Sequence, residues 1–283
     1  MSLIKFSNFH FRYKGNEEYA LNNINLKIES NKFILLAGET GSGKTSLIRC
    51  MNGLIPQFYA GYYKGFVEIS GKNTIETPIS SLSKDIGIVF QNPENQLIAM
   101  NVEHEIAFGL ENLGISREKI KEKITEVVEI TEIENIMDKA PFEISGGEQQ
   151  RVAIASILVL EPKIIVLDEP TANLDPFFAQ KIITLLKKIQ IEKKITVIIS
   201  EHRMDLLVPI VDDIILMKEG EVIAYDDKAK IISDDIFENL NINKPKIYSI
   251  FNKLKKRNLF VQKNIQNIPI SIQDAINLLK TIN

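Results

Sequence analysis

The first residues of the chain alternate between apolar and polar side chains. Phe9, Phe11 and Tyr13 fall on one face of an extended segment, whereas His10 and Arg12 fall on the opposite face. A period of two residues is typical of a strand with one buried face. The pattern therefore predicts a half-buried strand near the amino terminus.

Three later runs are short and continuously apolar: residues 33–37, 164–167 and 195–199. Such runs are typical of strands that are buried on both faces of a parallel sheet. Segments with helical character separate them along the chain. The pattern therefore predicts an α/β fold with a parallel sheet at its core.

The segment at about 92–161 has the period of amphipathic helices. One of them is expected to begin near Ser116, a good N-cap residue. Its apolar stripe consists of Ile120, Ile124, Val127 and Val128. We interpret this segment as a helical insertion between the strands.

The pattern changes again after about residue 226. Pro245 and Pro269 flank a helix-like stretch, and Ser271 with Asp274 forms the pattern of a capping box that opens a last short helix. We therefore divide the chain into a first domain at 1–225 and a small carboxy-terminal module at 226–283.

Composition narrows the class of protein. The chain has 283 residues, 45% hydrophobic and 25% charged, which is typical of globular domains and long enough for about two of them. Its 34 basic and 37 acidic side chains give a net charge of −3, which argues against a bulk electrostatic grip on nucleic acid or anionic lipid. The single cysteine, Cys50, excludes an internal disulfide and favours a reducing compartment such as the cytoplasm.

No apolar run approaches the ~18–20 residues of a membrane span. Residues 1–14 also lack the apolar core of a signal peptide. We therefore expect a soluble chain that reaches a membrane only through a partner.

Residues 38–45 read GETGSGKT and fit the phosphate-binding pattern G-x-x-x-x-G-K-[ST]. Lys44 supplies positive charge for the β and γ phosphates of a nucleotide, and the Thr45 hydroxyl is a ligand for Mg²⁺. We expect a side chain at Gly41 or Gly43 to intrude on the phosphates. The predicted nucleotide-binding residues of this loop are Gly38, Thr40, Gly41, Ser42, Gly43, Lys44, Thr45 and Ser46.

Two adjacent carboxylates end the apolar run at 164–167. Beside a phosphate loop they can divide the work, with Asp168 directed toward Mg²⁺ and Glu169 toward an attacking water. The alternative is an acidic strand end that is simply solvated.

Residues 145–149 read SGGEQ at the start of a predicted helix. A hydroxyl group, bare backbone amides and the positive end of the helix dipole all favour an anion there. A chain with one phosphate loop has no obvious use for a second anion site. A dimer does, if Ser145 and Gly147 of each subunit close on the nucleotide of the other.

Together these motifs resemble those of the ATP-binding-cassette (ABC) ATPases over about residues 1–224. GETGSGKT resembles the Walker A motif, ISGGEQQR the family signature, and IIVLDEP the Walker B motif. The resemblance implies a P-loop core with a parallel sheet, an antiparallel β subdomain and a helical signature subdomain. It also implies ATP and Mg²⁺ as cofactors.

The same resemblance implies roles for residues outside these motifs. Gln91 is similar to the Q-loop glutamine, Asp175 to the D-loop aspartate and His202 to the switch histidine. Tyr13 lies where the family places an aromatic side chain that stacks on adenine, although packing at a strand edge would also explain it. The implied catalytic residues are Glu169, His202 and Gln91; the metal ligands are Thr45, Gln91 and Asp168; and further nucleotide contacts are Tyr13, Ser145, Gly147, Glu148 and Asp175.

Residues 89–96, 104–109 and 201–205 resemble ATPases of energy-coupling-factor transporters, which take up vitamins or transition-metal ions. This implies a second ABC ATPase subunit, identical or related, with the carboxy-terminal module helping to hold the pair together. It also implies an integral-membrane transporter subunit and a substrate-binding membrane component, at the cytoplasmic face of the membrane, and no nucleic-acid partner.

One departure from the family and two alternatives remain. Asn31 and Lys32 replace the usual Gly-Glu before the first buried strand, and we expect Asn31 to adopt the left-handed conformation in place of glycine. A soluble ABC ATPase that acts on DNA or ribosomes is the first alternative, but such proteins generally carry two cassettes, long coiled coils or zinc-binding cysteines. A small-molecule P-loop kinase is the second, and it has no use for SGGEQ.

Overall fold

Two β-sheets form the centre of the fold in the computed structural model, which describes residues 2–240, 242–257 and 268–282. The strands are β1 (Ile4–Tyr13), β2 (Leu21–Ile28), β3 (Phe33–Gly38), β4 (Gly61–Ile69), β5 (Lys72–Asn73), β6 (Ile86–Val89), β7 (Ile164–Asp168), β8 (Thr196–Ser200), β9 (Asp213–Lys218) and β10 (Glu221–Asp227). The smaller sheet is antiparallel, with the order β2-β1-β4-β5. The larger has the order β10-β9-β3-β8-β7-β6, and its strands are parallel except for β10 at the edge. The predicted α/β fold with a parallel core and an antiparallel β subdomain is therefore confirmed.

Helices flank the larger sheet and fill the segment between β6 and β7. The described helices are α1 (Lys44–Met51), α2 (Leu54–Gln57), α3 (Ile79–Leu82), α4 (Val102–Asn112), α5 (Arg117–Thr131), α6 (Gly146–Leu158), α7 (Pro176–Lys193), α8 (Met204–Leu207), α9 (Lys228–Ser233), α10 (Lys246–Lys256) and α11 (Ile272–Ile282). Short 3-10 turns lie at Pro93–Asn95, Glu134–Ile136, Pro141–Glu143 and Asp235–Leu240. None of the helices in the described ranges combines the length and the apolar character that crossing a bilayer requires.

Strand β1 confirms the predicted half-buried strand, with one irregularity. Phe9 and Phe11 are buried, but so is Phe6, three positions before Phe9. Asn8 has a φ of 44°, and the pairing with β2 shifts register between Phe6 and Phe9. The extra residue restores the inward direction of the next side chain, as a β-bulge does.

The buried runs divide their side chains between two hydrophobic clusters, one on each face of the larger sheet. Leu35 of β3 lies in the cluster formed with the helices, whereas Ile34 and Leu36 lie in the cluster formed with the antiparallel sheet and α1. Each fully buried aliphatic side chain contributes about 1.5–3 kcal/mol relative to exposure. Burial on both faces explains why these runs show no polar alternation.

The segment between β6 and β7 is helical, as expected. Ile124, Val127 and Val128 of α5 are buried in the larger cluster, and Ile120 packs against it. Ser116 occupies the N-cap position, but its side chain makes no capping hydrogen bond. Burial of the apolar stripe, rather than the cap, therefore accounts for the position of α5.

The carboxy-terminal segment packs partly on the main core. Phe237, Leu240 and Tyr248 are buried in the cluster that holds the helices of the larger sheet. The predicted capping box is confirmed, because the Ser271 amide donates to Asp274 Oδ2 at 3.1 Å and the Asp274 amide donates to Ser271 Oγ at 3.0 Å. Strand β10 runs to Asp227, so it crosses the expected boundary at 225/226.

The carboxyl ends of four parallel strands lie along one side of the larger sheet: those of β3, β6, β7 and β8. Their carboxyl ends are followed by the phosphate loop, Gln91, Glu169 and His202 respectively. Ligands of open α/β sheets bind at this edge. Asn31, just before β3, has a φ of 61°, which confirms the left-handed conformation expected of it.

Candidate functional site

The phosphate loop follows β3 directly and leads into α1, with Gly43 at the N-cap. Gly41 and Gly43 both have positive φ, 83° and 100°, a conformation that other residues rarely adopt. A Cβ at Gly43 would lie 2.7 Å from the Ala20 carbonyl oxygen, whereas one at Gly41 would enter open space. Gly43 is therefore required by both space and conformation, and Gly41 by conformation. A Cβ at Gly38 would come within 2.5 Å of the Met217 carbonyl oxygen.

Lys44 lies folded back over this loop and is 5% exposed. Its Nζ donates to the carbonyl oxygens of Gly38 and Glu39, both at 2.9 Å. Burial lowers the Lys44 pKa, and the negative charges of Glu169 and Asp168 oppose that shift. Thr40 is exposed on the loop, while the Ser42 hydroxyl is buried without a hydrogen-bond partner among the described residues.

Thr45 and Asp168 connect α1 to the end of β7. Thr45 Oγ1 donates to Asp168 Oδ2 at 2.7 Å. Asp168 is 5% exposed, and its Oδ1 is buried with no hydrogen-bond partner in the described part of the chain. An unpartnered carboxylate oxygen beside a threonine hydroxyl is a suitable donor set for a hard cation.

Glu169 lies between two other predicted catalytic residues. Gln91 Nε2 donates to Glu169 Oε2 at 3.0 Å, and His202 Nε2 lies 3.2 Å from Glu169 Oε1. Glu169 itself has a φ of 48°, which is a strained conformation for a non-glycine residue, and its amide donates to the Ser200 carbonyl. The fold therefore brings Gln91, Glu169 and His202 together from the ends of three strands.

A cavity of about 530 Å³ opens beside these groups. Its lining includes Thr45, Gln91 and Asp168, together with Arg49 and Tyr59, which had no predicted role. Asp168, whose Oδ1 has no partner among the described residues, is thus one of the residues that line the cavity. It offers room for a ligand next to the phosphate loop.

Tyr13 lies at the end of β1, close to the second turn of α1. Its hydroxyl is 3.0 Å from Ser46 Oγ, and Arg49 donates to it at 3.3 Å. The Arg49 guanidinium also lies over the Tyr59 ring, 4.3 Å from its centroid. The ring of Tyr13 packs edge-on against Phe11 and Tyr59. Tyr13 is thus tethered to the helix of the phosphate loop, and stacking on adenine stays a prediction.

Ser145 caps the first turn of α6. Its hydroxyl and its amide donate to Glu148 Oε2 at 2.6 and 2.7 Å, and the Glu148 amide donates back to Ser145 Oγ at 3.4 Å. The hydrogen bonds from Ser145 lower the pKa of the Glu148 carboxyl. Gly147 lies beside the ring of Phe178, which would be 3.5 Å from a Cβ at position 147.

Asp175 is also engaged in capping. Its side chain accepts from the amides of Phe177 and Phe178 at 2.9 and 3.1 Å at the start of α7. Within the described residues, the hydrogen bonds of Ser145 and Asp175 stay inside their own helix starts and do not extend to the phosphate loop. A single chain therefore does not join these residues to the phosphate loop.

Three further contacts lie next to the site at residues without a predicted role. Glu201 accepts hydrogen bonds from Thr171, and Arg203 donates to the Leu174 carbonyl at 2.7 Å. A charged residue directly after β8, two positions beyond the buried run at 195–199, was the available signal for Glu201. Its partner lies 30 residues away in the chain, so spacing could not identify it.

Comparison with known proteins assigns this chain to a family. Residues 21–172 match the family described as ABC transporter. A protein of Pyrococcus horikoshii, provisionally named an ABC transporter ATP-binding protein, is 37% identical over 286 residues, which cover 99% of this chain and 97% of that protein. The chain covers only 47% and 50% of two longer relatives.

Two solved structures are similar over most of the chain. The structure of cbiO1 from Clostridium perfringens, described as part of the ABC transporter complex cbiONQ, superposes with a TM-score of 0.74 at 32% identity and covers 87% of this chain and 97% of its own. A dimeric structure of the cassette MJ0796, in a post-hydrolysis state bound to ADP and Pi, has a TM-score of 0.69 at 31% identity. It covers 80% of this chain and 98% of its own.

Proposed function

Because the chain belongs to the ABC transporter family, as an ATP-binding subunit that hydrolyses ATP, we propose that it powers an importer of the energy-coupling-factor type. The similarity to cbiO1 supports this type, as do the sequences of residues 89–96 and 201–205. The proposed cargo is a vitamin or a transition-metal ion. Integral-membrane and substrate-binding partners hold the chain at the cytoplasmic face of the membrane.

The residues around Asp168 fit Mg²⁺. The buried, unpartnered Asp168 Oδ1 and the Thr45 hydroxyl are oxygen donors, and Gln91 is the proposed third ligand. The described residues contain no group of three or more His, Cys, Asp or Glu side chains arranged to hold a metal, so a Mg²⁺ ion at this site would also need oxygen ligands from the nucleotide phosphates. A Mg²⁺ ion held there would neutralise developing negative charge on the phosphates.

The contacts of Gln91 and His202 with Glu169 are the main support for the proposed hydrolysis mechanism, which is centred on Glu169. Its carboxylate polarises a water for in-line attack on the γ phosphorus and accepts the proton of that water, while the bond to the oxygen of ADP breaks. His202 and Gln91 hold the carboxylate through their contacts with Oε1 and Oε2. Lys44 stabilises the charge on the phosphates. The protein contributes mainly positioning and electrostatic stabilisation.

The site is completed by a second subunit in this proposal. Ser145 and Gly147 start a helix whose positive end favours an anion, and they do not bond to the phosphate loop of their own chain. They bind the γ phosphate of the ATP that the partner subunit holds. Glu148 orients Ser145, and Asp175 lies at the junction between the subunits. Loss of the γ phosphate removes the bridge, so the closed dimer opens.

An exposed apolar surface near Gln91 is the proposed docking site of the membrane subunit. Ile98, Met100 and Phe142 are 71%, 87% and 84% exposed. A cavity of about 420 Å³ lies among residues of this surface, including Ile98 and Phe142. Exposed apolar patches of this kind mark interaction sites. Since Ile98 and Met100 closely follow Gln91 in the chain, opening and closing of the nucleotide site can be transmitted to the partner through this segment.

Glu169→Gln tests the mechanism. The change removes the proton acceptor but spares the metal ligands, so hydrolysis should fall by at least ~10²-fold while ATP-Mg²⁺ still binds. The variant should therefore accumulate as a closed dimer with ATP and Mg²⁺ on a sizing column. Asp168→Asn should instead lose Mg²⁺-dependent binding and the trapped dimer.

Glu132→Gln is the matched control, because Glu132 also has a positive φ, of 55°, and lies at the end of α5. It should hydrolyse ATP at the wild-type rate. Near-normal turnover in Glu169→Gln would show that another group activates the water. Purification of the chain from solubilised membranes without an integral-membrane partner would contradict the importer proposal.

A further inference from the structure

The three residues after β8 each contact the loop between β7 and α7. Glu201 bonds to Thr171, the His202 ring reaches Glu169, and Arg203 donates to the Leu174 carbonyl. These contacts span the loop from the proposed catalytic carboxylate to the start of α7. The two segments are therefore connected at three residues of the loop.

Glu201 is the buried member of this set. It is 3% exposed, and Thr171 is fully buried. Glu201 Oε1 accepts from the Thr171 amide at 3.0 Å and also from the Thr171 hydroxyl, and Oε2 accepts from the His202 amide at 2.9 Å. Both carboxylate oxygens are thus engaged, one with each segment.

A buried carboxylate is strongly unfavourable unless charge-assisted hydrogen bonds compensate its desolvation. Here the compensating donors bond to different oxygens of the carboxylate, Thr171 to Oε1 and the His202 amide to Oε2. The contacts of Glu201 therefore define the spacing between the two segments. The His202 side chain is exposed, so its own surroundings restrict it less than this backbone anchor does.

We propose that Glu201 is a positioning residue for ATP hydrolysis, which holds the His202 backbone so that the His202 ring meets Glu169. This inference rests on the proposed function, in which Glu169 polarises the water. The side chain of Glu201 is buried and bonds to Thr171 and the His202 amide, so in this proposal it does not contact the nucleotide or the attacking water. It acts through His202 and through the loop at Thr171.

Glu201→Gln provides the first test, measured with the full-length purified chain. The amide can still accept from Thr171 through its oxygen, but its NH₂ group then faces the His202 amide, and two donors cannot bond. We expect kcat to fall about 10- to 100-fold, as displaced catalytic groups do, with the Kd for ATP within about twofold of wild type. A kcat within about twofold of wild type would overturn the proposal.

A double-mutant cycle separates positioning from general structural damage. If Glu201 acts through His202, then Glu201→Gln in the His202→Ala background should lower kcat little further, because the group that it positions is gone. If the role of Glu201 is merely structural, Glu201→Gln should lower kcat by the same factor in both backgrounds. That result would contradict the inference.

Thr171→Val keeps the test usable if Glu201→Gln folds poorly, since it removes one donor and retains the Thr171 amide. It should lower kcat less than Glu201→Gln and also spare ATP affinity. Thr131→Val is its control, because Thr131 is equally buried and bonds within α5 to the Val127 carbonyl at 2.6 Å. Equal kcat in the two threonine variants would count against the inference.

The Glu169→Gln variant distinguishes a failure of the positioning role of Glu201 from a failure of the proposed mechanism at Glu169. If Glu169→Gln abolishes hydrolysis but Glu201→Gln does not reduce it, the positioning role is wrong and the mechanism stands. If Glu169→Gln hydrolyses ATP normally, the proposed mechanism is wrong, whatever Glu201→Gln does.

Discussion

Lys44 carries the positive charge of the phosphate loop in a position that is buried and already hydrogen-bonded. Its two acceptors are backbone carbonyl oxygens of the same loop, so the side chain also holds the loop closed on itself. The lowered pKa reflects loss of solvent, and the nearby carboxylates favour the charged form. A phosphate arriving here meets a cation with few water molecules to displace.

Lys44→Ala should therefore weaken ATP binding about 10- to 100-fold, the size expected for loss of a charge-assisted hydrogen bond in a dry site. Hydrolysis should be lost as well. Titration calorimetry with ATP and Mg²⁺ measures the first, and phosphate release the second. Lys84→Ala, at an exposed lysine, is the control and should match wild type. Normal ATPase rates in Lys44→Ala would remove the phosphate-loop assignment.

At the scale of elements, Asp85 joins the two sheets. This residue immediately precedes β6 and is 4% exposed. Its carboxylate accepts from Lys72 of β5 at 2.6 Å and from Lys163, next to β7, at 2.8 Å. Burial raises the pKa of Asp85, but the hydrogen bonds and charges of Lys163 and Lys72 outweigh it, and the net shift is downward.

Asp85→Asn should lower the free energy of unfolding at pH 7 by about 1.5–3 kcal/mol, the range for hydrogen bonds to a charged group. Since the folded pKa lies below the ordinary value of 3.8, the contribution is complete above that pH and is lost as the pH falls through the lowered pKa. Urea unfolding between pH 7 and pH 3 should show a constant difference that narrows only at the acid end. Asp226→Asn removes an exposed pair with Lys230 and should change little. A difference that widens below pH 4 would contradict this account.

At the scale of the whole molecule, the carboxy-terminal segment has an inner and an outer part. Phe237, Leu240 and Tyr248 belong to the main core, so deleting everything after residue 225 would damage the first domain. Helix α11, in contrast, presents Ile272, Ile276 and Leu279 at 68%, 40% and 46% exposure. Their spacing puts them on one face of the helix, as expected of a contact surface between subunits.

The double change Ile276→Glu and Leu279→Glu should weaken association of the subunits without changing ATP affinity, because no proposed phosphate ligand lies in α11. Because the site is proposed to be shared, specific ATPase activity of wild type should rise with protein concentration in the range where monomers associate. The variant should need a higher concentration for the same activity, as sedimentation velocity and ATPase assays can measure. Gln273→Glu, a polar change on the same helix, is the control. Loss of ATP affinity in parallel with association would contradict the separation of roles.

Much of the fold and the phosphate loop was determined by the sequence alone, because each feature depends on residues that are contiguous in the chain. The apolar runs predict β3, β7 and β8, since burial on both faces excludes polar side chains. GETGSGKT predicts a strand, loop and helix, because Gly41 and Gly43 must adopt positive φ. The stripe of α5 follows from the helical period in the same way.

Only the tertiary structure decided which distant groups meet. The order of strands in the larger sheet places Gln91, Glu169 and His202 side by side, and no spacing along the chain encodes that order. The same holds for Glu201 with Thr171 and for Asp85 with Lys72 and Lys163, since hydrogen bonds between chain-distant groups depend on packing. The bulge at Asn8 arises because Phe6 and Phe9 must both face the core, a requirement that exists only once the two sheets have packed against each other.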